Sequence, residues 1–196
     1  MTFDITQAWK NAFNVQEKYK TMEVDEIVAH ATADRLPFGV CMLNLEKDIN
    51  IANVIRTAHC MGAEVVYALG WRKVDNRGMV GCQNYTNYIK KRVDENDIDA
   101  VIEFLREQVN NGYTPIFAEW NEYSRSINSS EFDDVIMNSK PLLIMGNEGL
   151  GIPMEVMSAF DNQNIFHIPQ RGVIRSMNVA AASSILQFKI ASLKGL

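Results

Sequence analysis

An α/β fold with a mostly parallel sheet flanked by helices is the class that the sequence predicts, on three observations. Short apolar runs bounded by turn residues alternate with stretches of helical periodicity along the chain. The run Phe38-Gly39-Val40-Cys41-Met42-Leu43 has the unbroken apolar character of a strand buried on both faces. Polar loops follow several strand candidates, and ligands of parallel sheets bind outside the carboxyl ends of strands.

The elements follow in order. Residues 1–35 read as helical material flanking the main fold, with Ile27, Val28 and Ala31 giving one weak apolar face. A strand from Phe38 to Leu45, a helix from about Ile51 to Met61 and a strand from Glu64 to Leu69 make the first strand-helix-strand unit. The polar, aromatic stretch from Trp71 to Val93 is assigned to no element. Asp97 to Asn110 reads as an amphipathic helix, with Ile98, Val101, Ile102 and Leu105 on one face and Gly112 as its stop. A strand over Thr114 to Ala118 follows, and Ser130-Glu131-Phe132-Asp133 opens a short helix. The order ends with strand Pro141 to Met145, helix Pro153 to Phe160, strand Ile165 to Ile168 and helix Met177 to Leu193. Loops at Asn44 to Asn50, Ala118 to Glu122, Gly146 to Gly151 and Pro169 to Ser176 are therefore expected to converge at one edge.

At 196 residues and 47% hydrophobic content, the chain can bury a sizeable core in one domain without disulfides or metal. Its 19 basic and 24 acidic residues give a net charge of -5, which disfavours polyanion binding over the whole surface but leaves a local patch open. Trp71-Arg72-Lys73 and Lys90-Lys91-Arg92 are the basic candidates, and Tyr85 and Tyr88 between them suit either base stacking or helix packing. Cys41, Cys60 and Cys82 are odd in number and widely spaced, and neither a signal peptide nor a long apolar span is evident. These features favour a reduced, cytoplasmic protein with no membrane association. His30, His59 and His167 do not join the cysteines at zinc-ligand spacings, so no metal site is expected.

Two late polar segments carry the chemistry, Met145-Gly146-Asn147-Glu148-Gly149-Leu150-Gly151 and Ile168-Pro169-Gln170-Arg171-Gly172-Val173-Ile174-Arg175-Ser176-Met177-Asn178. The glycines fit neither a dinucleotide loop nor a phosphate loop; they serve either as simple turns or as close backbone approaches to a flat ring. Glu148 is either an exposed loop acid or a carboxylate that orients a ligand, a base or an arginine. Ser176 is a natural N-cap for the helix that follows, while Asn178, placed inside the first turn, could fix one loop against the other. Arg171 and Arg175 are surface charges or phosphate ligands. Asn50 and Arg56 bracket the start of the first main helix, where a loop-borne Asn50 could orient Arg56. His59 reads as a packed histidine rather than a catalytic one.

The ordered set Asn50-Ile51-Ala52-Asn53-Val54-Ile55-Arg56-Thr57-Ala58, Met145 to Gly151, and Ile168 to Gly172 with Ser176-Met177-Asn178-Val179-Ala180 resembles the SpoU, or TrmH-like, branch of the SPOUT RNA methyltransferases over about residues 36 to 190. The resemblance implies S-adenosylmethionine-dependent methylation of a ribose 2′-hydroxyl in transfer or ribosomal RNA; transfer RNA is preferred because a compact enzyme can grip a small folded RNA. It further implies a carboxyl-terminal deep trefoil knot, which periodicity does not show, a homodimer, and a division into an extension over 1–35 and a methyltransferase domain over 36–196. Carried onto this chain, the catalytic set is Arg56, Asn50, Glu148, Ser176 and Asn178. Cofactor contacts fall to Ala118, Met145, Gly146, Gly149, Ile168, Ser176 and Met177. Asn147 stands where the family commonly has serine or proline. The competing reading is a knotted RNA-binding dimer that has lost catalysis.

Overall fold

The computed structural model describes residues 15–74, 76–94, 96–160, 164–174 and 176–196. Seven strands form one sheet: β1 (Leu36–Leu43), β2 (Ala63–Leu69), β3 (Tyr88–Lys91), β4 (Thr114–Ala118), β5 (Arg125–Ser126), β6 (Pro141–Met145) and β7 (Ile165–His167). Their order is β3-β2-β1-β6-β4-β7-β5, and every pairing between them is parallel. The helices are α1 (Val24–Ala33), α2 (Asp48–Cys60), the single turn α3 (Asn76–Met79), α4 (Ile98–Asn110), α5 (Ser130–Asn138), α6 (Met154–Ser158) and α7 (Val179–Leu193).

Alternation along the strands divides the core between the two faces of the sheet. Val40, Met42, Val66, Ile116, Leu143 and Phe166 point to one side, where they pack with Ile51, Val54 and Ile55 of α2, Phe132 and Ile136 of α5, and Leu186 and Ile190 of α7. Cys41, Leu43, Val65, Phe117, Leu142 and Ile144 point to the other, against Val101, Phe104 and Leu105 of α4 and Val156 and Met157 of α6. The central strands are thus buried twice over, which explains their unbroken apolar sequences.

Local chemistry sets the boundaries. Asp97 caps α4 by accepting from the Ala100 amide at 3.0 Å, and Val101, Phe104, Leu105 and Gln108 form its buried face. Gly112 takes φ +88 just beyond that helix, a left-handed turn that glycine adopts without steric cost. Pro115 is tolerated in the interior strand β4 because of parity. The Thr114 amide bonds Lys140 on the β6 side and the Phe117 amide bonds Asn164 on the β7 side, so the donor that Pro115 lacks would face β7 ahead of its first residue. Lys194 donates to the Met137 and Ser139 carbonyls at 3.3 and 2.6 Å, tying the end of α7 to the end of α5.

Two expectations change. The first main helix begins at Asp48, so Asn50 sits in its first turn, buried, rather than in a loop. The unassigned stretch after Trp71 contains α3, a 3₁₀ turn and β3, and β5 is a further strand; both strands lie at the edges of the sheet. Within the described part of residues 1–35 the chain forms a 3₁₀ turn and α1, and Arg35 donates to the Glu64 and Tyr85 carbonyls. Residues 1–14 of the expected extension lie outside the described residues. No helix among the described residues is long and apolar enough to cross a membrane, and no cluster of metal-ligating side chains occurs among them.

Candidate active site

The carboxyl ends of β1, β6, β4 and β7 share one edge of the sheet, and the loops that leave them enclose a cavity of about 810 Å³. That volume lies within the range of small-molecule and cofactor sites. Ala118, Met145, Gly146, Gly149, Ile168, Ser176 and Met177 all line it, together with Asn50, Glu148 and Asn178.

The loop after β6 is shaped by its own backbone. Asn147 and Gly151 exchange amide-to-carbonyl bonds at 3.1 and 2.9 Å, which folds the loop back on itself. A Cβ on Gly146 would strike the Gly151 carbonyl group and sit 2.7 Å from the Ile152 side chain, so only glycine permits this closure. Asn147 then fixes the loop: its Oδ1 accepts from the Gly149 and Leu150 amides, and its Nδ2 donates to the Asn44 carbonyl at 2.7 Å. The serine or proline common in the family could not make all three bonds. On the opposite wall Glu119 accepts from the Ile152 amide at 2.8 Å and from the Trp120 amide at 3.0 Å.

A side-chain relay joins the three sequence segments. Glu148 accepts from the Glu46 and Lys47 amides at 2.8 and 3.2 Å and from Asn50 Nδ2 at 2.8 Å. Asn50 Oδ1 in turn accepts from Asn178 Nδ2 at 3.2 Å, and Asn178 Oδ1 accepts from the Ala180 and Ala181 amides. Each amide group donates with its nitrogen and accepts with its oxygen, so the network fixes both flips. Partial burial works against the ionised form of Glu148. The hydrogen bonds from the Glu46 amide, the Asn50 side chain and the Lys47 amide outweigh it and hold the carboxyl below the usual range. An anion also suits the amino-terminal end of α2, where the helix dipole is positive.

Asn178, not Ser176, is therefore the N-cap of α7, and it fixes one loop against another at the same time. The spacing that suggested Ser176 misplaced the helix start by two residues, because Met177 stays outside the helix and lines the cavity. Asn50 is committed to Glu148 and Asn178 rather than to Arg56. Arg56 is exposed on α2 in a separate groove of about 430 Å³ against α7, which shares Asn178 with the main cavity. His59 is the packed residue that was expected. It is part-buried beside Tyr85, and burial with the nearby Arg35 charge pushes its pKa down. Arg171 is exposed, and Arg175 lies outside the described residues. Cys41 and Cys82 are buried thiols and Cys60 is an exposed one.

Sequence reasoning assigned no role to Trp120 and His167, which form a stacked pair on the cavity wall with ring centroids 5.0 Å apart. Ser124 Oγ lies 2.9 Å from His167 Nδ1. A partial signal was present, since both residues end strand or post-strand segments on the edge where ligand loops gather.

A parallel α/β sheet whose two late loops close over one cavity at its carboxyl edge defines a class of ligand-binding fold, and comparison with known proteins narrows it. The chain belongs to the SpoU rRNA Methylase family, whose model matches residues 37–188. It is 26% identical over 151 residues to the tRNA (guanosine(18)-2′-O)-methyltransferase of Escherichia coli strain K12, covering 76% of this chain and 61% of that protein. The chain thus spans less than two thirds of that relative's length. Among solved structures, the A. aeolicus TrmH/SpoU tRNA modifying enzyme superposes with a TM-score of 0.64 at 19% identity, covering 87% of this chain and 83% of the other. The AdoMet-bound rRNA methyltransferase of Sinorhizobium meliloti gives a TM-score of 0.64 at 23% identity, covering 81% and 57%. These likenesses establish the SpoU/TrmH SPOUT architecture of the chain.

Proposed function

We propose that this chain methylates a ribose 2′-hydroxyl of RNA, with S-adenosylmethionine as donor and transfer RNA as the substrate class. The observation that carries this reading is the Glu148–Asn50–Asn178 relay. It locks the three segments of the family resemblance around one cavity of cofactor size.

The residues present fit the donor. Gly146 lets the loop close on Gly151 at the cavity wall, and backbone groups of Gly146, Gly149, Ile168 and Met177, with Ala118 and Met145, would hold a flat adenine and its ribose. When bound, S-adenosylmethionine supplies an electrophilic methyl carbon. Glu148, ionised and saturated by three donors, is a weak base, so its role is to position the loop and Asn50. The planar, multi-donor guanidinium of Arg56 suits it to bind the phosphate beside the acceptor sugar and to offset negative charge growing on the oxygen. Ser176, at the cavity lip ahead of α7, can contact the acceptor. Asn178 couples the cavity to the Arg56 groove.

The same reading includes a homodimer, a carboxyl-terminal trefoil knot, a division at residue 35 and a cytoplasmic site of action. The exposed stripe Ala181, Ile185 and Phe188 along α7 supports self-association, and three cysteines without a disulfide support a reducing compartment.

Arg56→Ala should lower methyl transfer from radiolabelled donor to transfer RNA by roughly a hundredfold or more, with donor affinity by calorimetry within about twofold of the parent. Turnover equal to the parent's would refute the role of Arg56. Labelling of ribosomal but not transfer RNA in the same assay would move the substrate class, and donor binding without transfer to either would favour a binding protein.

A further inference from the structure

The basic, aromatic corner beyond the cavity takes no part in that chemistry, yet it is built as a unit. Trp71 follows β2 and is 62% exposed, and the Arg92 guanidinium carbon lies 5.5 Å from the ring centroid. Lys90 donates to the Trp71 carbonyl at 3.5 Å and to the Arg72 carbonyl, so β3 holds the turn that presents the indole. Arg72 and Lys73 are exposed beside it and enter no ion pair among the described residues. Lys91 points to the other face, where it sits 3.8 Å from Glu107 and over the Phe104 ring. Arg72, Lys73, Lys90 and Arg92 thus gather around one indole in a chain of net charge -5.

The register fixes where this corner lies relative to the cavity. Lys91 pairs with Leu69, Leu69 with Leu43, and Met42 with Met145, so Trp71, which leaves β2, occupies the same carboxyl edge as Glu148, which leaves β6, two strand spacings away. At about 4.8 Å per spacing that is about 10 Å, close to the rise of three stacked nucleotides. Between them, the Asn44 and Gly70 amides bond the Leu69 and Lys91 carbonyls and make the edge continuous.

We propose that Trp71, steadied by Lys90 and Arg92, is a stacking platform for an unpaired base of the RNA substrate a few nucleotides from the methylated ribose, with Arg72 and Lys73 on the flanking phosphates. The proposal rests on the RNA reading of the cavity. An indole offers a π face that accepts any base, and cations on its rim neutralise the backbone that the base brings with it.

The test measures binding rather than turnover, using unfractionated transfer RNA and a fluorescein-labelled oligouridylate of about 12 nucleotides. Trp71→Ala should weaken both about tenfold with little change in salt dependence, and Trp71→Phe should restore most of the loss. Arg72→Ala with Lys73→Ala should lower the slope of log affinity against log salt by about 1.4 for the oligonucleotide. Donor affinity should be unchanged in every variant. Parental affinity and slope in these variants would overturn the platform while leaving the methyltransferase reading intact. Failure of the parent to bind either RNA would overturn both.

Discussion

Glu148 lies between two glycines, yet its side chain is held on three sides, accepting from two backbone amides and from Asn50. Glu148→Gln removes the charge and places an amide NH₂ where one of those donors needs an acceptor. The variant should lose about 1 kcal/mol in urea unfolding at neutral pH, and its methyl transfer should fall with the loosened relay. The sign of the pH dependence follows from the lowered folded-state pKa. The stability given by the ionised carboxylate is fully present above the ordinary glutamate pKa and is lost as pH falls through the lower folded value. Parent and variant should therefore converge in acid, and a gap that stayed constant from neutral pH down to about pH 3 would assign the loss to packing instead. Asn147 shows the same economy of side chains, since its three bonds shape a loop that a smaller residue would leave to glycine flexibility.

Among the elements, α7 depends on Asn178 for its start and for its place against α2. Asn178→Ala should cost about 1 kcal/mol from the lost cap, plus the bond to Asn50. Asn178→Ser separates the two roles. Serine restores the cap and most of the thermal stability but cannot also donate to Asn50, so activity should stay low while stability recovers. Equal recovery of both would show that capping alone matters. The sequence placed α4 and its stop at Gly112 because periodicity, an N-cap aspartate and a helix-ending glycine agree there. It missed β3 and β5, which are short edge strands: Tyr88–Lys91 is largely exposed and Arg125–Ser126 has two residues, so neither carries an apolar signature.

At the scale of the whole molecule, the last helix is apolar on more than its core side. Val179, Leu186 and Ile190 are buried, while Ile185 and Phe188 are 40% and 58% exposed on the same turns. A helix clothed this way in a lone chain has a face to cover, consistent with the proposed homodimer. Phe188→Glu should shift sedimentation from dimer to monomer without unfolding the chain, because the side chain is outside the described core. A dimer that persisted unchanged would place the interface elsewhere. The Arg56 groove lies beside this stripe, lined by Ala181 and Ser184 of α7. Loss of the dimer is therefore expected to depress activity as well.

The sequence by itself determined the parallel sheet, the order of its long elements and the three segments that meet at the site. Those properties are local: apolar runs, helical periods, and glycines and polar residues at fixed spacings read directly from the chain. Only the tertiary structure decided that Asn50 serves Glu148 and Asn178, that Asn178 rather than Ser176 begins α7, and that Arg56 stands in its own groove. Each of these depends on which partners lie within hydrogen-bond reach across roughly a hundred residues of chain, and parallel strand order, not sequence distance, brings them together.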